Sequence, residues 1–124
     1  MSIKWRYKMK KIFSEDISGV NQIIPHKNKW AWDMYLKACN NNWMPTEISM
    51  AKDIEQWNSD LFTDEERLVI RRCLGFFAGA ESLVGNNLFF ICRHVNDAEI
   101  RNYIARQIFE ESLHNLTLVY VCEI

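Results

Sequence analysis

A chain of 124 residues with 25% charged and 13% aromatic residues is long enough to bury a hydrophobic core but too short to divide into several domains. Its formal net charge of -1 argues against a general affinity for nucleic acid, and its cysteines, Cys39, Cys73, Cys92 and Cys122, lack a C-x-x-C pair and are read as reduced core residues rather than zinc ligands or a disulfide framework. Ile12-Phe13 gives way at once to Ser14-Glu15-Asp16, and no later run is expected to span a bilayer, so the reading is a cytoplasmic protein without signal peptide or membrane contact.

The first dozen residues carry Lys4, Arg6, Lys8, Lys10 and Lys11, and residues 1–24 are read as a flexible, solvated lead. From about Lys27 to Asn41, the residues Trp30, Met34, Leu36, Ala38 and Cys39 recur at loosely helical spacing, and the turn-favouring stretch CNNNW ends the pattern. The segment WMPTEISMAKDIEQW begins around Pro45 with scattered apolar residues and is expected to be irregular, with a helical second half. Thr63, followed by Glu66, makes a capping box ahead of RLVIRRCLGFFAGAESLVGNNLFFICRHV, which is apolar enough for one long helix with little solvent contact. Asn96, followed by Glu99, is expected to open a second long helix running to Ile124. The order is helical throughout residues 25–124, which gives an all-α chain.

The chemistry lies in where the acids fall on those helices. The neighbours of Glu81 at helical spacing are Leu74, Phe77, Ala78, Val84, Gly85 and Leu88, all apolar or glycine. An ionised carboxylate in the middle of such a stripe costs several kcal/mol unless something compensates it. The partner could be Arg71, Arg93 or Arg106, giving a buried ion pair, or it could be a metal; the residues alone leave both open. On the next helix Glu111 and His114 lie one turn apart on a stripe with Ile104, Ile108, Asn115 and Leu118, so their side chains can converge on one point. By itself a Glu-x-x-His pair is a common solvated pair. Together with an inward Glu on the preceding helix it makes half the ligand set of dinuclear carboxylate bundles, which take a Glu from each of two helices and Glu-x-x-His from each of two others.

Three separated motifs, NNWMPTEISMAKDIEQW, LGFFAGAESLVGNN and RQIFEESLHNLTLVYVCE, resemble in order and nearly in spacing the N-terminal part of the small, radical-generating subunit of class I ribonucleotide reductase. The resemblance runs from about Pro25 to the end and implies a ferritin-like helical bundle of which residues 1–124 are the N-terminal portion. It implies that Glu81 matches the first carboxylate ligand of one metal, Glu111 the carboxylate bridging both metals, and His114 the imidazole ligand of the first. Trp43, in NNWMP, matches the tryptophan that relays an oxidising hole toward the large subunit, although on the residues alone an aromatic packed under a turn explains it equally well.

Leu118 stands four residues after His114, where most members of that family carry the radical tyrosine. Leucine cannot be oxidised, so the likeness is closest to the class Ic type, which stores its oxidising equivalent in a manganese-iron pair, and Glu81 in place of Asp fits the same type. Tyr120, two residues beyond Leu118, is turned from it by roughly 200° of helical rotation and is no simple substitute. The interval from Glu81 to Glu111 is one residue shorter than in the family pattern, a change that a shortened turn near Asn96 could absorb.

The second Glu, the second Glu-x-x-His, the aspartate expected to bridge His114 to Trp43, and the tail that docks on the large subunit belong to family regions beyond residue 124. The chain is therefore expected to be the N-terminal part of a small subunit, through truncation or as one piece of a split protein, and inactive alone. Its expected partners are the large subunit, a second small subunit in a homodimer, and a polypeptide carrying the missing half. Two other functions stay open: another dinuclear oxidase of the same architecture, and a non-catalytic protein whose helix faces bind an intact subunit.

Overall fold

A computed structural model describes residues 24–123, so most of the expected flexible lead, with its basic run, and Ile124 lie outside the described residues. The elements are α1 (Lys29–Asn40), a single 3₁₀ turn at Pro45–Glu47, α2 (Ala51–Trp57), α3 (Asp64–His94) and α4 (Ala98–Cys122). No strand occurs among the described residues, as the helical patterning requires.

Helix α3 begins where its capping box is written in the sequence. The Thr63 hydroxyl accepts from the Glu66 N–H at 3.2 Å, and the Glu66 carboxylate accepts from the Thr63 N–H at 2.8 Å. Asp64, Glu65 and Glu66 in its first turn, with Arg93 and His94 in its last, complement the helix dipole. The turn before α3 is held by Arg67, whose guanidinium donates to the carbonyls of Trp57 and Ser59 and lies 5.0 Å from the Trp57 ring centre.

Helix α4 begins differently from the reading given above. Its cap is Asp97, not Asn96, with the Asp97 carboxylate accepting from the Ile100 N–H at 3.2 Å. Glu99 does not close a box with Asn96. It turns inward, 1% exposed, and accepts from the Lys27 N–H at 2.8 Å, while the Asn28 amide donates to Asp97 at 2.7 Å. The start of α1, which has no side-chain cap of its own at Asn28, is thus tied to the start of α4. A carboxylate one residue along was available to cap α4, and the segment before α1 supplied a better use for Glu99.

Helix α4 packs against α1 on one side and α3 on another. The core lies where they meet: Ala31, Val95, Ile100 and Ile104 are buried, with Leu88, Cys92 and Ile108 packed against them. The expectation that α3 has little solvent contact is not met among the described residues. No α3 residue is buried, and Phe76, Leu83 and Phe90 are 70%, 67% and 62% exposed, because α4 is the described helix that packs along α3, while α2 meets it through Trp57 against Arg67 and Arg71. All four cysteines are free, but Cys73 and Cys122 are exposed rather than in the core.

A second correction concerns the membrane. By length and composition α3 is apolar enough to cross one, contrary to the expectation that no run would be, since Glu81 is the only charge between Arg72 and Arg93. An inner helix of a water-soluble bundle satisfies the same criterion.

Candidate metal centre

The site forms between α3 and α4, beside Gly85. Gly85 lies one turn after Glu81, and a Cβ added there would sit 3.8 Å from the Glu111 Cβ, so the missing side chain leaves the helices in near contact at this level. Beside this contact a groove of about 260 Å³ runs between the helices, lined by Glu81, Gly85, Asn86, Ile108, Glu111 and Asn115 among others.

Glu81 and Glu111 both point at one nitrogen of His114. The His114 Nδ1 is 3.0 Å from Glu81 Oε2 and 3.2 Å from Glu111 Oε2, and donor atoms of the three residues all lie within 4.8 Å of one another. The carboxylates are three-quarters or more shielded, with side chains 25% and 17% exposed. The alternative of a buried Glu–Arg pair is not what forms: among the described residues the ion-pair partner of Glu81 is His114. Arg71 lies over the Trp57 ring, and Arg106 is committed to Glu110.

The electrostatics are those of three groups competing for protons. Partial burial works against the His114 cation, but the Glu81 and Glu111 carboxylates outweigh it and raise the imidazole above its usual range. Glu81 is held below the ordinary carboxylate range chiefly by its hydrogen bond with Glu111, helped by His114 and opposed by burial. Glu111 is pushed up by burial and by that same bond with Glu81, against the pull of His114. Two close carboxylates beside an imidazole form a donor set from which a cation would displace protons. Imidazole suits iron and zinc among other metals, and carboxylate suits manganese and other hard cations.

Trp43 is brought to the same place. Its ring is 6.1 Å from that of His114, centre to centre, with 28° between the planes, and its indole N–H donates to Glu110 Oε2 at 3.1 Å. Glu110 was not singled out for any task from sequence. Its spacing of four residues from Arg106 signalled a helix-surface ion pair, which does form, but nothing local marked it as the partner of Trp43, which is 67 positions away. Leu118 is half-buried one turn beyond His114. Tyr120 is turned to the loop side of α4, where its hydroxyl donates to the Ile48 carbonyl at 3.0 Å. Residues 95–97 connect α3 to α4, and Glu81 and Glu111 come together across the two helices.

The family described as "Ribonucleotide reductase, small chain" matches residues 20–124. The chain belongs to that family. It is 54% identical over 105 residues to the ribonucleoside-diphosphate reductase subunit beta of Chlamydia pneumoniae, covering 84% of this chain and 30% of the relative. It is also 34% identical over 96 residues to the small chain of Neurospora crassa, covering 77% of this chain and 23% of that one. Among solved structures it is similar to the ribonucleotide reductase R2 subunit from Clostridium botulinum, with a TM-score of 0.83, 28% identity, and coverage of 92% of this chain and 35% of that one. The fold is therefore the ferritin-like helical arrangement of reductase small subunits. The chain spans about a third or less of the length of these relatives. The family implies a dinuclear metal centre, and the convergent donors Glu81, Glu111 and His114 have the chemistry to hold a metal ion.

Proposed function

We propose that this chain supplies half of the ligand set of a dinuclear metal centre in the small subunit of a ribonucleoside-diphosphate reductase. The observation that carries the reading is the convergence of Glu81, Glu111 and His114 within 4.8 Å on two helices of a chain belonging to that family. Glu81 and His114 would hold one metal and Glu111 would bridge to the second. When bound, the centre supplies the oxidising power, drawn from O2, that initiates reduction of ribonucleotides to deoxyribonucleotides on a large subunit.

The chain's own contribution is to place and shield. Helices α3 and α4 fix three donors against a narrow groove, and Asn115 closes a hydrogen bond from its amide to the Glu111 carbonyl at 3.0 Å. Half-buried Leu118 and Ile108 present apolar surface on the same helix and limit water. Trp43, in ring contact with His114, is the residue through which an oxidising hole would leave toward the large subunit. A manganese-iron pair is favoured over di-iron, because Leu118 stands at the usual tyrosine position and Glu81 stands where Asp is usual. The partners are that large subunit, a second small subunit, and a polypeptide bearing the remaining ligands, all in the cytoplasm.

Metal analysis tests the reading. Glu81, Glu111 and His114 are three donors, against the six that a Glu from each of two helices and Glu-x-x-His from each of two others would provide. The chain purified aerobically should hold less than one tightly bound manganese or iron. Co-expressed with a polypeptide carrying a second Glu-x-x-His and Glu, it should hold two. Two tightly held metals on the chain alone, or none in the co-expressed assembly, would overturn it.

A further inference from the structure

Helix α1 carries Trp32, Tyr35 and Cys39 at helical spacing, which puts the three side chains on one face. The rings of Trp32 and Tyr35 are in contact, 5.3 Å apart between centres and tilted by 41°. The Tyr35 phenol hydrogen-bonds with Cys39, a free thiol. All three residues are half-buried. Indole, phenol and thiol are among the side-chain groups that give up one electron most readily, and the site between α3 and α4 uses none of these three. At the other end of the string the His26 ring stacks on Trp32 at 5.4 Å and 28°, and its Nδ1 lies 3.6 Å from Oε1 of Glu99, a residue 1% exposed. A buried carboxylate behind the stacked imidazole lowers the cost of placing positive charge on Trp32.

We propose that Trp32, Tyr35 and Cys39 form a sink for oxidising holes, entered at Trp32 and ending on the Cys39 thiol. A diffusible one-electron oxidant takes an electron from Trp32 and leaves the indole radical cation. Tyr35 gives an electron to that cation, which restores Trp32, and the phenolic proton passes to water at this half-buried face. The phenoxyl radical then takes the hydrogen atom of the Cys39 S–H, which restores Tyr35 and leaves a thiyl radical. A soluble thiol returns a hydrogen atom to Cys39 and carries the radical away. The first transfer runs downhill, because a phenol free to lose its proton is easier to oxidise than an indole. The second is close to balanced and is drawn forward as the thiyl is consumed. No metal and no second chain takes part, so the sink stands apart from the reductase reading. In a subunit that handles an oxidising equivalent it exchanges permanent damage to tryptophan for an oxidation that another thiol repairs. Packing alone accounts for two touching rings, but it makes nothing at Cys39 depend on Tyr35.

The test uses the full chain, dilute and treated with a chelator. Ruthenium(III) tris-bipyridine is generated by a light flash in the presence of a nitrone spin trap, and thiyl adducts are located by peptide mass spectrometry. The unaltered chain should carry adduct on Cys39. In Tyr35→Phe that adduct should be lost, while adduct on the exposed Cys73 and Cys122, which the oxidant meets directly, should stay as before. Oxidation products of Trp32 should rise in the same variant, because the hole no longer leaves the indole. Trp32→Phe, which keeps an aromatic ring in place, should also lose the Cys39 adduct, and it decides the matter if Tyr35→Phe does not fold. Adduct on Cys39 that persists in a folded ring variant would overturn the proposal, as would its absence from the unaltered chain while Cys73 and Cys122 are labelled.

Discussion

The Trp43 ring stacks on His114 at 6.1 Å and 28°, joining the loop after α1 to a residue that also faces Glu81 and Glu111. One imidazole therefore contacts both the acid pair and the aromatic ring. The geometry separates two tasks that mutation can distinguish. Replacing Trp43 by Phe keeps an aromatic ring but lowers its ease of oxidation and removes the N–H, so the assembled reductase should fall to near-background turnover. The same assembly should retain its full metal content by mass spectrometry. Loss of metal together with activity would mean that Trp43 serves as packing for the site.

Glu99 makes a prediction about folding. Its buried carboxylate accepts the Lys27 N–H at 2.8 Å and lies 3.6 Å from His26. Removing it strands a backbone donor at the start of α1, and Glu99→Leu should cost about 2 kcal/mol, with Glu99→Gln costing less. The pH dependence follows from the sign. Burial raises the Glu99 carboxyl, but the hydrogen bond from the Lys27 N–H, the side-chain interaction with Asp97 and the backbone N–H groups of Glu99 and Asn28 prevail and set it below its ordinary 4.5. A group lowered in the folded state adds stability that is complete above its unfolded value and is lost as pH falls through the folded one. Urea midpoints followed by circular dichroism should thus drop between pH 6 and the acid range more steeply for the unaltered chain than for Glu99→Gln. Parallel slopes would sink the assignment.

What the sequence disclosed and what it hid divide by range. The Thr63–Glu66 box was legible because both halves lie within one turn, and Glu111 with His114 was legible for the same reason. Glu81 declared itself through the lack of any polar neighbour on its own helix, which demanded a partner from elsewhere. Glu99 misled because its partner is 72 positions away, and Asn96 offered a local partner that looked sufficient. The same holds for Glu110. The composition of α3 told that it seeks burial, but hydrophobicity names no covering element, and in the described residues α4 covers one side only.

That uncovered side gives the third prediction. Val69, Phe76, Leu83 and Phe90 recur every seven residues along α3 and are each at least 60% exposed, which makes a continuous apolar stripe. The chain alone should self-associate at micromolar concentration. Introducing a charge in the middle, as in Leu83→Glu, should shift sedimentation velocity profiles toward monomer. A sharp monomer peak for the unaltered chain, with a cooperative melt, would contradict this.

Gly85 should tolerate a methyl group. The added Cβ meets Glu111 Cβ at 3.8 Å, an ordinary contact, and a helical Gly→Ala exchange removes backbone freedom from the unfolded chain. Gly85→Ala is expected to raise stability by roughly 0.5–1 kcal/mol and to leave metal content of the assembly intact. Gly85→Leu must displace Glu111 or part the helices, and it should lower metal content. Equal metal content in both variants would mean that the close approach at Gly85 does not set the site.

The last prediction concerns where the oxidising equivalent rests in the assembled subunit. Leu118, half-buried one turn beyond His114, has no group that loses an electron at an accessible potential. Tyr120 is the nearest tyrosine in sequence, but its hydroxyl is bonded to the Ile48 carbonyl, on the loop side of α4. After loading with manganese and iron and exposure to O2, the assembly should therefore give electron paramagnetic resonance from a coupled metal pair. It should give no tyrosyl signal that disappears in Tyr120→Phe. Glu81→Ala and His114→Ala should each abolish the metal signal and metal content together, because the apolar neighbours of Glu81 offer no substitute donor. Leu118→Tyr reverses the logic: a new tyrosyl signal would put this helical position within reach of the oxidised metals. If instead the unaltered assembly shows a stable tyrosyl radical and turnover tracks its intensity, the oxidant is stored on a side chain. The manganese-iron assignment then falls, even with Glu81, Glu111 and His114 still holding the metals.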